Sequence, residues 1–437
     1  MSTAAWLRAI NSLDLPDGWR LVSVGSRYNI QLGKMLNADR AAQPDTPGAA
    51  PYLRNVNVQW GRIDTEDLKW MRFSPDDRAK YALRRGDLLV CEGGEIGRCA
   101  VWDSDREDCF FQKALMRVRS RGVDRLDWLA RCMRALADGG ALSAGAEKST
   151  IDHLPAEKLR ALRIPLPESG QQRLILRTLD AETAQIDALI GARKRQSDLL
   201  AERAAVAASV LCLRGGENDG YRSSGIGPVG DIPKQWRTLR NKVFLREVAD
   251  LSTDGAEELL TVSHLTGVTT RAEKTEVTMF KAESTVGYKR CAPGDLIINT
   301  MWAWMGALGI ARQHGIVSPA YGVYRFDREI ADPSYFEHVF RSSAYVAEMT
   351  RYSKGVWSSR LRLYPEAFLG LSAPVPPLRE QRRIVETIRR QTKGDADLRE
   401  GLRQSIDLLR ERRRALITAA VTGRLQVPSP TTENAVA

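Results

Sequence analysis

The chain has 437 residues, 43% of them hydrophobic, which is ample for two or three globular cores. Lys and Arg number 65 against 54 Asp and Glu, a formal charge of +11, and this excess favours a polyanionic partner, nucleic acid before membrane. No apolar run of about 20 residues exists, the first ten residues have no apolar core for a signal peptide, and the 6 cysteines form no C-x-x-C pair, so a membrane span and a disulfide framework are excluded and a cytoplasmic location with reduced thiols is expected.

In chain order, residues 1–13 suit a short helix or arm, and Asp14-Leu15-Pro16-Asp17-Gly18-Trp19-Arg20 opens a first globular segment. Residues 37–51, rich in Ala, Pro and Asp, predict a mobile loop, and residues 51–64 a strand pair ending in a Gly turn. Gly86-Asp87-Leu88-Leu89-Val90 predicts a turn into a buried strand, residues 114–118 another strand, residues 128–137 a short helix and residues 139–151 a loop. A Pro-bearing strand end, Arg163-Ile164-Pro165-Leu166-Pro167, then leads into a helical pattern, since proline lacks a donor N–H and suits the edge of a strand or the head of a helix. Residues 214–233 form a Gly/Ser/Asp linker, and Asp231-Ile232-Pro233-Lys234-Gln235-Trp236-Arg237 opens a second globular segment. Within it, residues 258–262, 295–299 and 322–326 predict strands and residues 335–348 a helix; residues 428–437 predict a frayed tail.

The chain contains its main pattern twice. Residues 154–213 align without a gap on residues 363–422, an offset of 209 (363 − 154 = 209). Leu154, Pro165, Pro167, Gln172, Arg173, Ile175 and Glu202 match Leu363, Pro374, Pro376, Gln381, Arg382, Ile384 and Glu411. In the globular segments the offset drifts, to 208 at Gly86 and Gly294 and to 217 at Asp14 and Asp231. Insertions therefore concentrate in loops while helix length is held, and loops that vary over a fixed frame are where specificity sits. In the first helix Ile175, Leu179, Ile186, Leu189, Leu200, Ala207 and Val210 fall near heptad spacing; in the second, Ile384, Ile388, Leu398, Leu402, Leu409, Leu416 and Ala419 do so. Two helices of this length with narrow apolar stripes are unstable alone and predict an antiparallel pair.

Catalytic patterns are scarce. The 4 histidines are scattered, no G-x-x-x-x-G-K-[ST] phosphate loop or G-x-S-x-G string occurs, and Asn-Pro-Pro-Tyr and Asp-Pro-Pro-Tyr are absent. A degenerate nuclease-like pattern, Pro44-Asp45 with Asp67-Leu68-Lys69, falls partly in the expected loop and is set aside. Two polar loop sets remain. The first is Arg54, Asn55, Asn57, Gln59 and Arg62, with Lys148, Ser149 and Thr150; the second is His264, Thr266, Trp302, Trp304, Lys354, Trp357, Ser358 and Arg360. Arg reads guanine and Asn or Gln reads adenine by paired hydrogen bonds, while Lys, Ser and Thr suit phosphates, so both sets are candidate DNA-binding loops.

These residues carry a resemblance. Ile164-Pro165-Leu166-Pro167 with Gln172-Arg173, Pro374-Val375-Pro376-Pro377 with Glu380-Gln381-Arg382-Arg383, and the string 411–423 resemble the DNA-specificity (S) subunit of type I restriction–modification enzymes. The resemblance runs from about residue 14 to 427; the first copy departs from it, since Ser169-Gly170-Gln171-Gln172 stands where Glu-Gln is usual. It implies an α/β (α+β) architecture of two target-recognition domains separated by two long antiparallel coiled-coil helices. The expected division is 14–167 and 231–376 for the recognition domains, 168–213 and 377–425 for the helices, 214–230 for the linker and 426–437 for the tail. It also implies a non-catalytic subunit that binds double-stranded DNA, two modification subunits and restriction subunits. No cofactor is expected on this chain; S-adenosylmethionine, ATP and Mg²⁺ are implied on the partners. The competing reading is a coiled-coil scaffold between proteins, without DNA specificity.

Overall fold

A computed structural model of the chain describes residues 15–36, 41–106, 108–142, 153–216, 220–271, 284–355 and 361–425. It divides into two compact units, Met1–Arg193 with Gln404–Ala437, and Lys194–Arg403. We call them the first and second units.

Each unit is built on a four-stranded antiparallel sheet in the same order. In the first it runs Tyr28–Leu32, Leu115–Ser120, Leu88–Cys91, Cys99–Val101; in the second, Leu245–Glu247, Tyr321–Phe326, Leu296–Asn299, Leu308–Ile310. Strand side chains alternate between faces, so a strand covered on both sides reads as a continuous apolar run. Leu88 and Val90 enter one core and Leu89 and Cys91 another, while Leu296 and Ile298 part from Ile297 in the same way. Helix Leu126–Asp138 seals the first main core with Trp128, Leu129, Cys132, Met133 and Leu136. Helix Pro333–Arg341 seals the second with Tyr335, Phe336, Val339 and Phe340.

The Pro-bearing strands close each unit. Arg163–Leu166 pairs with Arg20–Ser23, and Ser372–Val375 with Arg237–Arg240, both antiparallel. Each feeds a long helix, Ser169–Arg214 and Leu378–Val421. In the first unit Ile175, Leu176 and Leu179 share a core with Ile417, Ala420 and Val421, and Asp187 pairs with Arg413 at 3.0 Å. In the second unit Cys212 and Leu213 share a core with Ile384, Val385 and Ile388, and Arg203 pairs with Asp395. Within each unit the two helices run antiparallel. The apolar stripe is narrower than the heptad pattern predicts: Leu189, Val210 and Leu398 are exposed, because positions that line up along one helix are covered only where the partner's side chains meet them.

Several expectations are corrected. The stretch 41–51 is not a loop throughout, since Ala41–Ala42 and Ala49–Leu53 are strands that pair with Lys69–Arg72. Residues 51–64 hold the end of one strand, a 3-10 turn at Asn55–Asn57 and a small pair, Val58–Gln59 with Arg62–Ile63. The linker is partly ordered: Tyr221–Ser223 pairs with Asp231–Pro233, and Ile226 and Val229 enter the second core. The helix expected at 335–348 is two helices, Pro333–Arg341 and Ser343–Tyr352. Ser342 sits between them in extended backbone, and its hydroxyl accepts from Tyr345 N at 3.3 Å while donating to Val339 O at 2.6 Å. A serine that caps the next helix ends the previous one. The expected arm at 1–13, the tail at 428–437 and most of the loop 139–151 lie outside the described residues.

Candidate nucleic-acid interface

In the first unit the expected residues cluster on one short segment. Arg54 bonds the Asp67 carboxylate and its carbonyl, both at 2.8 Å. That guanidinium, with Lys69, holds the Asp67 carboxyl below the usual carboxylate range. Asn55 donates to Gly93 O at 2.7 Å, and Arg98 donates to Asn55 O at 3.0 Å. These bonds tie the 3-10 turn to the loop that follows strand Leu88–Cys91. Leu154 N donates to Glu92 O at 2.7 Å, bringing the chain after residue 153 to the same loop. Gln59 and Arg62 flank the turn of the next strand pair, with Arg62 exposed and Gln59 donating to Val56 O at 2.9 Å. Asn57 is a correction: it is 3% exposed, accepts from Arg54 N at 2.9 Å and donates to Asp67 O at 3.2 Å, so its amide frames the turn and offers no edge to a base. Lys148, Ser149 and Thr150 lie outside the described residues.

Cys91 lies beneath this cluster, and burial pushes its thiol up to about 11. It packs as a small hydrophobe rather than serving as a nucleophile.

In the second unit the loop after strand Leu296–Asn299 carries Trp302 and Trp304. Thr266 lies exposed in the turn between Leu260–Ser263 and Gly267–Thr270. His264 sits in the same turn, and Arg341 donates to its carbonyl at 2.8 Å and to Leu308 O at 3.0 Å. That arginine joins the turn to the start of Leu308–Ile310, at the foot of the tryptophan loop. Lys354 is exposed and exchanges both backbone hydrogen bonds with Arg362, at 3.0 and 2.9 Å. Leu363 N then donates to Thr300 O at 2.9 Å, so this basic bridge borders the tryptophan loop. Trp357, Ser358 and Arg360 lie outside the described residues.

Sequence reading missed Arg98, Arg341, Arg351, Tyr352 and Arg362, which border or support these loops. A signal existed for one loop only: Gly93, Gly94 and Gly97 directly after a buried strand mark a tight turn, and Gly94 and Gly97 have φ of 76° and 73°.

The two units thus share one αβ frame and carry two different polar and aromatic loop sets. Residues 16–196 match the family described as the type I restriction modification DNA specificity domain. The chain is 22% identical over 187 residues to the type I restriction enzyme StySPI specificity subunit of Salmonella potsdam, covering 41% of this chain and 39% of that one. It is 24% identical over 408 residues to the EcoBI specificity subunit of Escherichia coli, covering 86% and 80%. In the first of these, the match spans about two-fifths of the relative's length. Among solved structures, one described as the basis of complex assembly and conformational transition of the type I R-M system aligns with a TM-score of 0.64, at 17% identity, over 94% of this chain and 100% of that one. The last is a likeness of fold. The chain is thus similar to type I restriction–modification specificity subunits, with the family's domain matched over residues 16–196. Among the described residues, no helix is long and apolar enough to cross a membrane.

Proposed function

We propose that this chain is the sequence-specific DNA-binding subunit of a type I restriction–modification enzyme. Each unit reads one half of a bipartite duplex site, and the long helices dock two modification subunits and, through the assembled complex, restriction subunits. The chain carries no catalysis of its own. S-adenosylmethionine belongs to the modification subunits, ATP and Mg²⁺ to the restriction subunits, and the complex works in the cytoplasm. Lys148, Ser149, Thr150 and Lys354 are the proposed phosphate contacts; Arg54, Asn55, Gln59, Arg62, His264 and Thr266 are the proposed base-side groups.

The observation that carries this reading is the identical sheet order of the two units beneath unlike loops. A common frame with two loop sets suits two half-sites of different sequence. The test is to exchange residues 14–165 for the matching segment of a related subunit and map adenine methylation in cells that also express the modification subunit. One half of the methylated motif is expected to change and the other to persist. A change in both halves, or in neither, removes the two-reader assignment. Duplex retention that does not fall with salt leaves the scaffold reading instead.

A further inference from the structure

The loop between Leu296–Asn299 and Leu308–Ile310 presents a large apolar plane to solvent. Trp302 is 49% exposed, and its ring stacks on Trp304 with centroids 6.4 Å apart and planes 15° from parallel. The backing ring is fixed, since the Trp304 indole donates to Met301 O at 3.0 Å and Thr350 Oγ1 donates to Trp304 O at 3.4 Å. Beneath them Ala303 is fully buried in a 3-10 turn, which ends at Gly306 with φ of 79°. The loop base is held as well: Trp302 N donates to Asn299 O at 3.0 Å and Thr300 Oγ1 to Ala320 O at 2.8 Å. An indole kept half in water on so rigid a mount is shaped to meet another flat surface.

The rim says what that surface is. Lys354 and Arg362 border Thr300 through the Leu363 hydrogen bond. Arg351 and Tyr352 end the helix that carries Thr350, with the guanidinium 5.8 Å from the Tyr352 ring centroid. Cations around exposed aromatic faces match a nucleic acid, phosphates meeting charge and bases meeting rings.

The repeat argues against a protein partner. Strand Leu88–Cys91 corresponds to Leu296–Asn299 at an offset of 208 (296 − 88 = 208), which sets Trp302 against Gly94. A surface that docked one kind of subunit twice would occur in both units. This one occurs on a shared frame in the second unit alone among the described residues, as a group that distinguishes two half-sites would.

We infer that Trp302 is a specificity-determining residue that wedges its ring into a base step of the half-site read by the second unit, partly unstacking that step, with Trp304 as its support. This rests on the DNA-reading function proposed above.

The test uses the full chain purified with its modification subunits, and a pool of random-sequence duplex DNA from which retained molecules are sequenced. The wild-type complex selects a two-part motif, and exchange of residues 231–376 identifies the half that belongs to the second unit. Trp302→Ala is expected to weaken retention of the selected duplex roughly tenfold or more and to erase preference in that half alone, since stacking of one base on an aromatic ring contributes on that scale. Trp302→Phe, which keeps a ring, is expected to stay within about threefold of wild type. If Trp302→Ala matches wild type in affinity and in both halves, the wedge role is wrong while DNA reading stands. If it loses modification subunits and the remaining complex binds duplex normally, the surface docks protein and the inference is overturned. A wild-type complex that selects no sequence overturns the proposed function and this inference with it.

Discussion

Gln172 and Gln381 make the same pattern of hydrogen bonds at the heads of the two long helices. Gln172 donates to Pro167 O at 2.8 Å and Asp124 Oδ1 at 3.3 Å, and accepts from Arg125 N at 3.0 Å. Gln381 donates to Pro376 O at 2.9 Å and Ile330 O at 2.8 Å, and accepts from Asp332 N at 2.8 Å. Both are fully buried. Each amide joins the Pro-bearing strand end, the long helix and the residue that caps the globular helix, at Arg125 and Asp332. The glutamine of the repeated motif is a staple that fixes the helix against the sheet of its own unit. Only an amide offers two donors and an acceptor in that shape.

Removal of either staple leaves buried backbone groups without partners. Gln172→Ala and Gln381→Ala are each expected to cost about 2–3 kcal/mol, the penalty of orphaned polar groups plus the lost contact. Gln→Glu should be no better, because a carboxylate cannot donate and would bury charge. Hydrogen exchange checks this, with faster exchange expected at 125–130 in the first variant and at 330–336 in the second.

A second repeated device is the bidentate pair behind each Gly-Asp-Leu string. Asp87 meets Arg119 at 2.5 and 2.7 Å, and Asp295 meets Arg325 at 2.8 and 2.7 Å. The same aspartates accept from Arg84 N at 2.8 Å and Ala292 N at 2.9 Å, closing turns whose glycines, Gly86 and Gly294, both have φ of 92°. Asp87→Asn and Asp295→Asn should each destabilise by about 2–3 kcal/mol, since each leaves an arginine without its charged partner. Exchange is expected to quicken in strand Leu88–Cys91 for one and in Leu296–Asn299 for the other. Equal loosening of both strands by either variant would contradict the division into two units.

Acid sensitivity should centre on His338 in the second unit. Burial pushes its imidazole below the ordinary value, Arg312, Arg341 and Arg389 add to this, and Glu337 opposes it. The folded unit therefore binds fewer protons than the unfolded chain once the pH falls below about 6.5. Its contribution to stability is complete above that pH and declines as the pH drops toward the depressed folded value. Wild type is expected to lose melting temperature between pH 7.5 and 5.5, and His338→Gln to lose less. Equal losses in the two proteins would assign the acid response to other groups.

How much of this was legible in the sequence varies with the kind of signal. The Pro-bearing strands and the long helices were, because Pro165 and Pro374 are punctuation and the 209 offset exposes a repeat. The Gly-Asp-Leu strands were legible for a related reason, a turn glycine before an apolar run. Two-residue strands such as Ala41–Ala42 and Phe110–Phe111 were not, since alternation needs length to show. The break at Ser342 hid because a serine inside an apolar period looks tolerable until its hydroxyl is seen capping Tyr345 N. The candidate loops were found as polar segments. What separates Asn57 from Asn55 is tertiary, since Asn57 is buried and its amide donates to the carbonyl of Asp67, ten positions along.

The last prediction concerns the helices themselves. Leu199 and Leu408 are equivalent across the two copies (408 − 199 = 209) and are 64% and 65% exposed. Leu189 and Leu398 form a second such pair, 50% and 53% exposed. Single exposed leucines need no explanation, but the same two positions exposed in both copies of a repeat do. Under the proposed function each copy offers these leucines to one modification subunit, so two equivalent surfaces take two equivalent partners. Leu199→Glu removes no packed contact and should change stability by no more than about 0.5 kcal/mol. It should leave a complex with one modification subunit in place of two, as should Leu408→Glu. The double variant should bind neither. Native mass measurement of the co-expressed complexes counts the subunits directly. A double variant that keeps both partners would show that these leucines lie outside the docking surface, and a single variant that loses both would show that the copies do not act as separate sites.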